Sequence, residues 1–336
     1  LSTCDAFYKT FENVEPGEII EHLESVMHLS DELTRMFGQR SMVFPVRASG
    51  GYISEIFSAS SGARKLVVKL ENSDHGVLQE VSEHLGLHKT ECDFYLNLAN
   101  TAPVRTPACY GVLPVSQAIV MEDLRKFDRA PAFSLSSGLK VVLAIARLHS
   151  HFRGATLGKL STHKSHMRQF VLQNYQAFKQ KWSQTLSSEV FALFDHAADF
   201  YEEAEAQLLT EPCTLLHGDL KFPNLFWDYG TNGGEPIFID WQYAGPGQGI
   251  EDVIFLLVES CGVANFKLLA ESLIHSYYEE RHKHDDIEMT ESEQHVQVSC
   301  ALAGFPFFVA IWFGCIDASQ LTEPNFPFLY IIRLAN

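Results

Sequence analysis

Three oxygen-bearing side chains fall close together in LLHGDLKFPNLFWD (215–228) and PIFIDWQ (236–242): Asp219, Asn224 and Asp240. Each stands on a short loop beside a short apolar run. Carboxylate and amide oxygens in that arrangement suit a hard cation that shares its coordination with phosphate oxygens. The chemistry this implies is a site for Mg²⁺ and a nucleotide.

The order of these residues is more specific than their types. A His-Gly-Asp triplet (217–219), an Asn five residues after the Asp, and a further Asp after the next apolar run resemble the catalytic loop and metal-binding Asp of the protein-kinase-like fold. Gly218 after the His, and Asp-Trp-Gln (240–242) where protein kinases carry Asp-Phe-Gly, resemble the aminoglycoside phosphotransferase and choline-kinase-like superfamily in particular. VMEDL (120–124) resembles the hinge of that superfamily, above all its ecdysteroid-kinase-like and nematode-type branches, and AIARLHSHF (144–152) its first helix after the hinge.

The resemblance implies an α+β, two-lobed protein-kinase-like fold and transfer of the γ-phosphate of ATP, with GTP an open alternative donor, to a hydroxyl of a small molecule. Asp219 would then accept the proton of the attacking hydroxyl, and Asn224 and Asp240 would hold Mg²⁺. His217 is expected to be a buried structural residue, and Asp252 in GQGIEDVIFLL to brace the catalytic loop. Lys221 has the offset of the catalytic-loop Lys of serine/threonine kinases, and both a γ-phosphate contact and a solvated lysine fit it. Lys69 in LVVKL matches the phosphate-binding Lys of the third strand. Glu91 in KTECDFYLNL, 22 residues later, matches its partner, with Tyr95 and Leu98 on the same helical face; Glu80 and Glu83 are alternatives. Ser49, Gly50 and Gly51 permit backbone amides to approach phosphate oxygens, although a plain hairpin turn fits them equally. Adenine is expected at the backbone of Met121, Glu122 and Asp123.

Around these residues the apolar periodicity lays out the elements. A helix is expected over 15–40, followed by three antiparallel strands in MVFPVRAS, YISEIFSAS and KLVVKLEN. A helix over 76–100 and strands at 106–111 and 118–121 complete an amino-terminal lobe, taken as 1–122. The carboxy-terminal lobe, 123–336, reads as helices at 137–152, 164–182, 188–209, 250–260, 263–282 and 290–316, with two strands at 225–227 and 236–240. The apolar stretch Ala301–Ile316 has 16 residues, shorter than the roughly 20 that span a bilayer, and reads as a buried helix.

Composition narrows the function further. With 46% hydrophobic and 20% charged residues the chain is that of a folded globular protein. A formal charge of −17, with 9 basic and 17 acidic residues in 1–124 and 16 and 25 in the rest, argues against a nucleic-acid partner. Seven scattered cysteines without a CxxC pair indicate neither a disulfide framework nor a zinc site. His163 with His166, and His282 with His284, read as solvated helix ends and not as metal pairs. No secretory signal is expected in LSTCDAFYKTFENVEP, and no membrane association, which places the protein in the cytoplasm. Asp252 follows Asp240 by only 12 positions, so the activation segment and peptide platform of a protein kinase have no room. The remaining competitor is a nucleotide-binding pseudoenzyme.

Overall fold

A computed structural model describes residues 16–45, 54–71, 82–158, 160, 164–230, 233–285, 289–317, 319, 321 and 325–335. The chain divides into two compact units, Leu1–His88 with Pro107–Lys126, and Lys89–Thr106 with Phe127–Asn336.

The first unit is a helix on an antiparallel sheet. Helix α1 (Pro16–Phe37) is followed by strands β1 (Ser41–Pro45), β2 (Ser54–Ser61) and β3 (Arg64–Glu71), then by β4 (Cys109–Val112) and β5 (Ile119–Glu122). The order is β1-β2-β3-β5-β4. This is the expected meander extended by the two later strands. Period-2 alternation sorts β3: Leu66 and Val68 join Leu29 and Leu33 of α1 in the core with Phe57 and Val120, which leaves Lys69 on the opposite face with Val67. Burying the core face of the sheet under α1 is what fixes the register, Lys69 opposite Ile56 and Ile119.

A buried carboxylate ties the helix of this unit to its sheet. Glu32 of α1 is 2% exposed and accepts hydrogen bonds from the backbone amides of Val115 (2.9 Å) and Ser116 (3.1 Å), clamping the turn that joins β4 to β5. Burial works against its charge, but the hydrogen bonds from Ser116 and Val115 outweigh it and hold the carboxyl below the ordinary glutamate range.

The second unit is mainly helical: α2 (Leu87–Asn97), α3 (Leu135–His151), α4 (Lys164–Trp182), α5 (Ser188–Leu208), α6 (Ile250–Ser260), α7 (Val263–Asp285), α8 (Glu291–Ala303), α9 (Phe305–Cys315) and α10 (Phe326–Ala335). Two small antiparallel sheets lie among them. One is β6-β8-β9 (Asp128–Arg129, Leu225–Asp228, Glu235–Phe238), and the other pairs β7 (Thr214–Leu216) with β10 (Gly245–Gly247). The expected boundary at 122/123 lies close to the division at 126/127, but it assigned 89–106 to the first lobe. The contacts group these residues with the second unit, because Phe94 of α2 stacks on Trp241 at 3.9 Å and the Arg105 carbonyl accepts from the Phe238 amide.

Most helices fall within a few residues of their expected bounds. The helix expected over 290–316 is instead two: Gly304 ends α8 and begins α9, with Pro306 in the first turn of α9, where its missing N–H costs nothing. The segment Glu291–Cys315 is by length and composition apolar enough to cross a membrane, and 67% of its most apolar window is buried within the protein. Phe307, Phe308, Val309, Ala310, Ile311 and Trp312 are all buried, as expected for the 301–316 run. The short strands β6, β7 and β10 and helix α10 were not anticipated.

Glu32→Gln keeps the shape of the clamp but turns one acceptor into a donor facing an amide. Urea unfolding at neutral pH is expected to show a loss of about 1–3 kcal/mol. Because the folded carboxyl titrates below its unfolded value, its contribution is full above the ordinary glutamate range and is lost as pH falls through the folded value. The difference between wild type and variant should therefore shrink toward acid pH.

Candidate active site

The candidate catalytic residues are assembled by a strand, a tight loop and a hairpin of the second unit. Strand β7 delivers His217, Gly218 and Asp219; a single 3₁₀ turn, Phe222–Asn224, with Pro223 inside it, then turns the chain into β8. The β8–β9 hairpin returns to Asp240, whose φ of 68° is in the left-handed region rarely used by a residue with a side chain. That conformation turns the chain sharply after β9 and lets Trp241 go inward, where it lies 4.5 Å from the His217 ring as well as on Phe94.

Asp252, in the first turn of α6, holds the loop from behind. It is 2% exposed and accepts from the amides of His217 (2.7 Å) and Gly218 (2.9 Å) and from His149 Nε2 of α3 (3.1 Å). Burial opposes its charge, yet these hydrogen bonds and the neighbouring imidazoles hold its carboxyl below the ordinary range. Gly218 is demanded twice over: its φ is 82°, and a Cβ there would stand 2.1 Å from the Tyr243 carbonyl oxygen. His217 is fully buried; its Nδ1 faces the Asp219 amide at 3.3 Å, so the ring proton is on Nε2, donated to the Ile239 carbonyl at 2.9 Å.

Around Asp219 the polar groups converge. Lys221 Nζ lies 2.9 Å from Oδ1, and Asn224 Nδ2 donates to both the Asp219 carbonyl and Oδ2 at 2.9 Å. Lys221 is thus not a solvated surface lysine. Burial raises the Asp219 carboxyl, Lys221 pulls it back, and the Asp240 carboxylate adds to the rise, leaving it above the ordinary aspartate range. Burial opposes the Lys221 charge, but Asp219 and then Glu259 more than offset this, so the ammonium is held charged. Asn224 gives its amide nitrogen to Asp219, which leaves the amide oxygen directed elsewhere; with the Asp240 carboxylate this supplies two hard oxygen donors of the kind Mg²⁺ takes alongside phosphate. Gln242 Nε2 reaches Asp240 Oδ2 at 3.4 Å.

Two residues beside Asp219 were missed from sequence. Glu259 near the end of α6 is raised by burial and interacts with Lys221, Asp219 and Arg333. The Tyr330 hydroxyl of α10 is buried without a hydrogen-bond partner, and after burial the charges raising it are those of Glu259 and Asp219. A signal for Glu259 was present, since it lies seven positions after Asp252 on the same face of an otherwise apolar helix. Helix α10 offered no chemical motif.

The other candidates are distributed as follows. Lys69 is buried on β3, and Met121 and Glu122 are in β5 in the first unit. The Glu122 amide donates to the Ala108 carbonyl, and the Asp123 carboxylate is taken by Arg125. In the second unit, Glu91 is 1% exposed on the buried face of α2 with Tyr95, and Glu83 of the first unit is exposed. Ser49, Gly50, Gly51, Glu80 and His163 lie outside the described residues. A separate cleft of about 540 Å³, bordered by Gln248, Tyr277, Tyr278, Arg281 and Gln297, is not lined by Asp219, Lys221, Asn224 or Asp240.

These elements have counterparts in known proteins. The family model described as the phosphotransferase enzyme family matches residues 46–286, and the chain belongs to that family. No curated protein matches it in sequence. Its fold is similar to that of a microcompartment-associated aminopropanol kinase, with 16% identity over 92% of this chain and 95% of that one and a TM-score of 0.61. The choline kinase LicA from Streptococcus pneumoniae gives 13% identity, 93% and 97% coverage and a TM-score of 0.60. An ethanolamine kinase from Plasmodium vivax gives 12%, 97% and 95%, and 0.57. The fold is therefore the α+β kinase-like one, and family and fold together support small-molecule phosphotransferase activity.

The Gly218 contact yields a direct test. Gly218→Ala forces a Cβ against a backbone oxygen at positive φ and is expected to cost more than about 3 kcal/mol. Gly262→Ala, where a Cβ meets nothing within 4 Å, should stay within about 1 kcal/mol of wild type. Thermal unfolding of the two variants side by side reads the difference.

Proposed function

We propose that this protein transfers the γ-phosphate of ATP to the hydroxyl of a small cationic amino alcohol. The observation that carries the reading is the buried Asp219 carboxylate with Lys221 on one oxygen and Asn224 on the other, at the end of a loop pinned by Asp252. Asp219 takes the proton of the acceptor hydroxyl as its oxygen attacks phosphorus and ADP leaves. A carboxyl raised by burial is a better base near neutrality than a solvated one, and general-base assistance of this kind is worth about 10²- to 10⁴-fold. Lys221 keeps that carboxylate ionised and brings positive charge to the transferring phosphoryl group.

Asn224 and Asp240 would hold Mg²⁺, which neutralises phosphate charge when bound. Lys69 is assigned to the nucleotide phosphates, as are Ser49, Gly50 and Gly51. Adenine recognition is assigned to the backbone of Met121, Glu122 and Asp123, other than the Glu122 amide, which donates to the Ala108 carbonyl.

The acceptor class rests on charge. Glu259, an acid with a largely shielded side chain, feels the charge of Asp219 and itself acts on the buried Tyr330, which suits an ammonium a few bonds away from the reacting hydroxyl. The relatives in fold named for aminopropanol, choline and ethanolamine support the same class.

Asp219→Asn keeps size and shape and should lower turnover by about 10²-fold or more with nearly unchanged affinity for an ATP analogue. Asp240→Asn should weaken Mg²⁺-dependent nucleotide binding and turnover together. Calorimetry with and without EDTA separates them; a nucleotide affinity insensitive to EDTA in the wild type would sink the metal assignment.

Glu259→Gln should raise KM for aminopropanol, ethanolamine or choline by about tenfold, in line with the loss of one charge-assisted contact. A coupled assay over amines and neutral alcohols provides the comparison. Equal losses on both would contradict the ammonium assignment.

A further inference from the structure

Behind the catalytic loop, a buried chain of polar groups runs from Asp252 toward the cleft. His149 of α3 is fully buried with one ring nitrogen 3.1 Å from Asp252 Oδ2 and the other 3.0 Å from the Tyr277 hydroxyl of α7. Tyr277, itself 1% exposed, also receives a hydrogen bond from Arg281 Nη1 at 2.9 Å, and Arg281 is tied through Nε to Asp285 at 2.7 Å. Gly249, just before α6, makes room for the junction: a Cβ there would lie 2.2 Å from the Tyr277 hydroxyl and 2.3 Å from His149 Nδ1.

Two constraints set the direction of the bonds in this chain, the donor-only guanidinium of Arg281 at one end and the acceptor-only carboxylate of Asp252 at the other. A guanidinium can only donate, so the Tyr277 oxygen is an acceptor toward Arg281, and its single proton is left for His149 Nδ1. An imidazole whose Nδ1 accepts carries its proton on Nε2, which then donates to the Asp252 carboxylate. The other tautomer would set a lone pair against that carboxylate, inside the protein, where such a contact is costly. Asp252 in turn needs both oxygens as acceptors, because Oδ2 serves the His217 amide and Oδ1 the Gly218 amide.

We propose that Tyr277, oriented by Arg281, is a positioning residue for phosphoryl transfer: its hydroxyl donates to His149 Nδ1, holding the ring whose Nε2 proton goes to Asp252, and thereby keeps Asp252 aimed at the two amides that set Asp219. The role in catalysis rests on the function proposed above; the contact with His149 does not. Tyr277 touches no reacting group. It borders the cleft that also contains Gln248 and Tyr278, so the outer end of the chain lies away from the catalytic loop.

Tyr277→Phe removes only the hydroxyl. Nuclear magnetic resonance of protein with labelled histidine nitrogens, with His149 assigned by its loss in His149→Asn, reads the tautomer without any substrate. The wild type should show His149 protonated at Nε2 alone. In Tyr277→Phe, with Asp252 still holding the Nε2 proton, the Nδ1 signal should move from that of a hydrogen-bonded acceptor to that of a free lone pair or of an imidazolium, and kcat should fall about 10- to 100-fold while KM for ATP and for the acceptor stays within twofold. Arg281→Gln, which frees the Tyr277 hydroxyl to turn, should move the Nδ1 signal in the same direction and serves if Tyr277→Phe does not fold. A wild-type His149 protonated at Nδ1 overturns the proposal, as does an unchanged Nδ1 signal in either variant or a loss seen only in KM. If no acceptor is phosphorylated by the wild type, the functional reading fails, and the Nδ1 measurement still decides the role of Tyr277.

Discussion

Much of the second unit is arranged around one buried carboxylate. Asp252 sits in the opening turn of an apolar helix and must remain charged, since it accepts from the amides of His217 and Gly218 and from the His149 ring. An ionised group with so little water is tolerated only when all its oxygens are used. The residues that satisfy it come from α3 and from the loop after β7, so placing this charge also places the loop. Gly218 follows from the same constraint, because a chain bent to present two successive amides to one carboxylate passes too near Tyr243 to carry a side chain.

The first unit uses the same device for a different purpose. Glu32 takes the successive amides of Val115 and Ser116, as Asp252 takes those of His217 and Gly218, and both carboxyls are held below their ordinary range against the effect of burial. In each case a helix contributes an acid that takes two successive amides of a turn. One turn joins two strands of the sheet, and the other carries Asp219.

The candidate catalytic loop could be read from the sequence because its chemistry is local. His217, Asp219, Asn224 and Asp240 are close in sequence and differ in type from the apolar runs around them, and the helices of the second unit announce themselves by period. The split at Gly304 was hidden because the apolar run continues through it, and a glycine before a proline in such a run satisfies both a helix end and a helix start. Strands β7 and β10 are three residues each, too short for any alternation to register. Glu259, Tyr330 and Tyr277 acquire their meaning only from elements distant in sequence. Tyr277 lies 128 residues from His149, and nothing in its own neighbourhood distinguishes it from a core tyrosine. The placement of α2 with the second unit depends likewise on a tertiary contact, the stacking of Phe94 on Trp241.

The amides of His217 and Gly218 have a further property. The amide of His217 is buried and that of Gly218 partly so, and their acceptor is held by a helix whose described core positions, Val253 to Val258, are almost entirely shielded from water. Deuterium from solvent reaches these protons when the loop parts from Asp252, and because Asp252 is fixed in α6 the loop does the moving. Exchange at these two amides therefore reports the opening of the loop that carries Asp219.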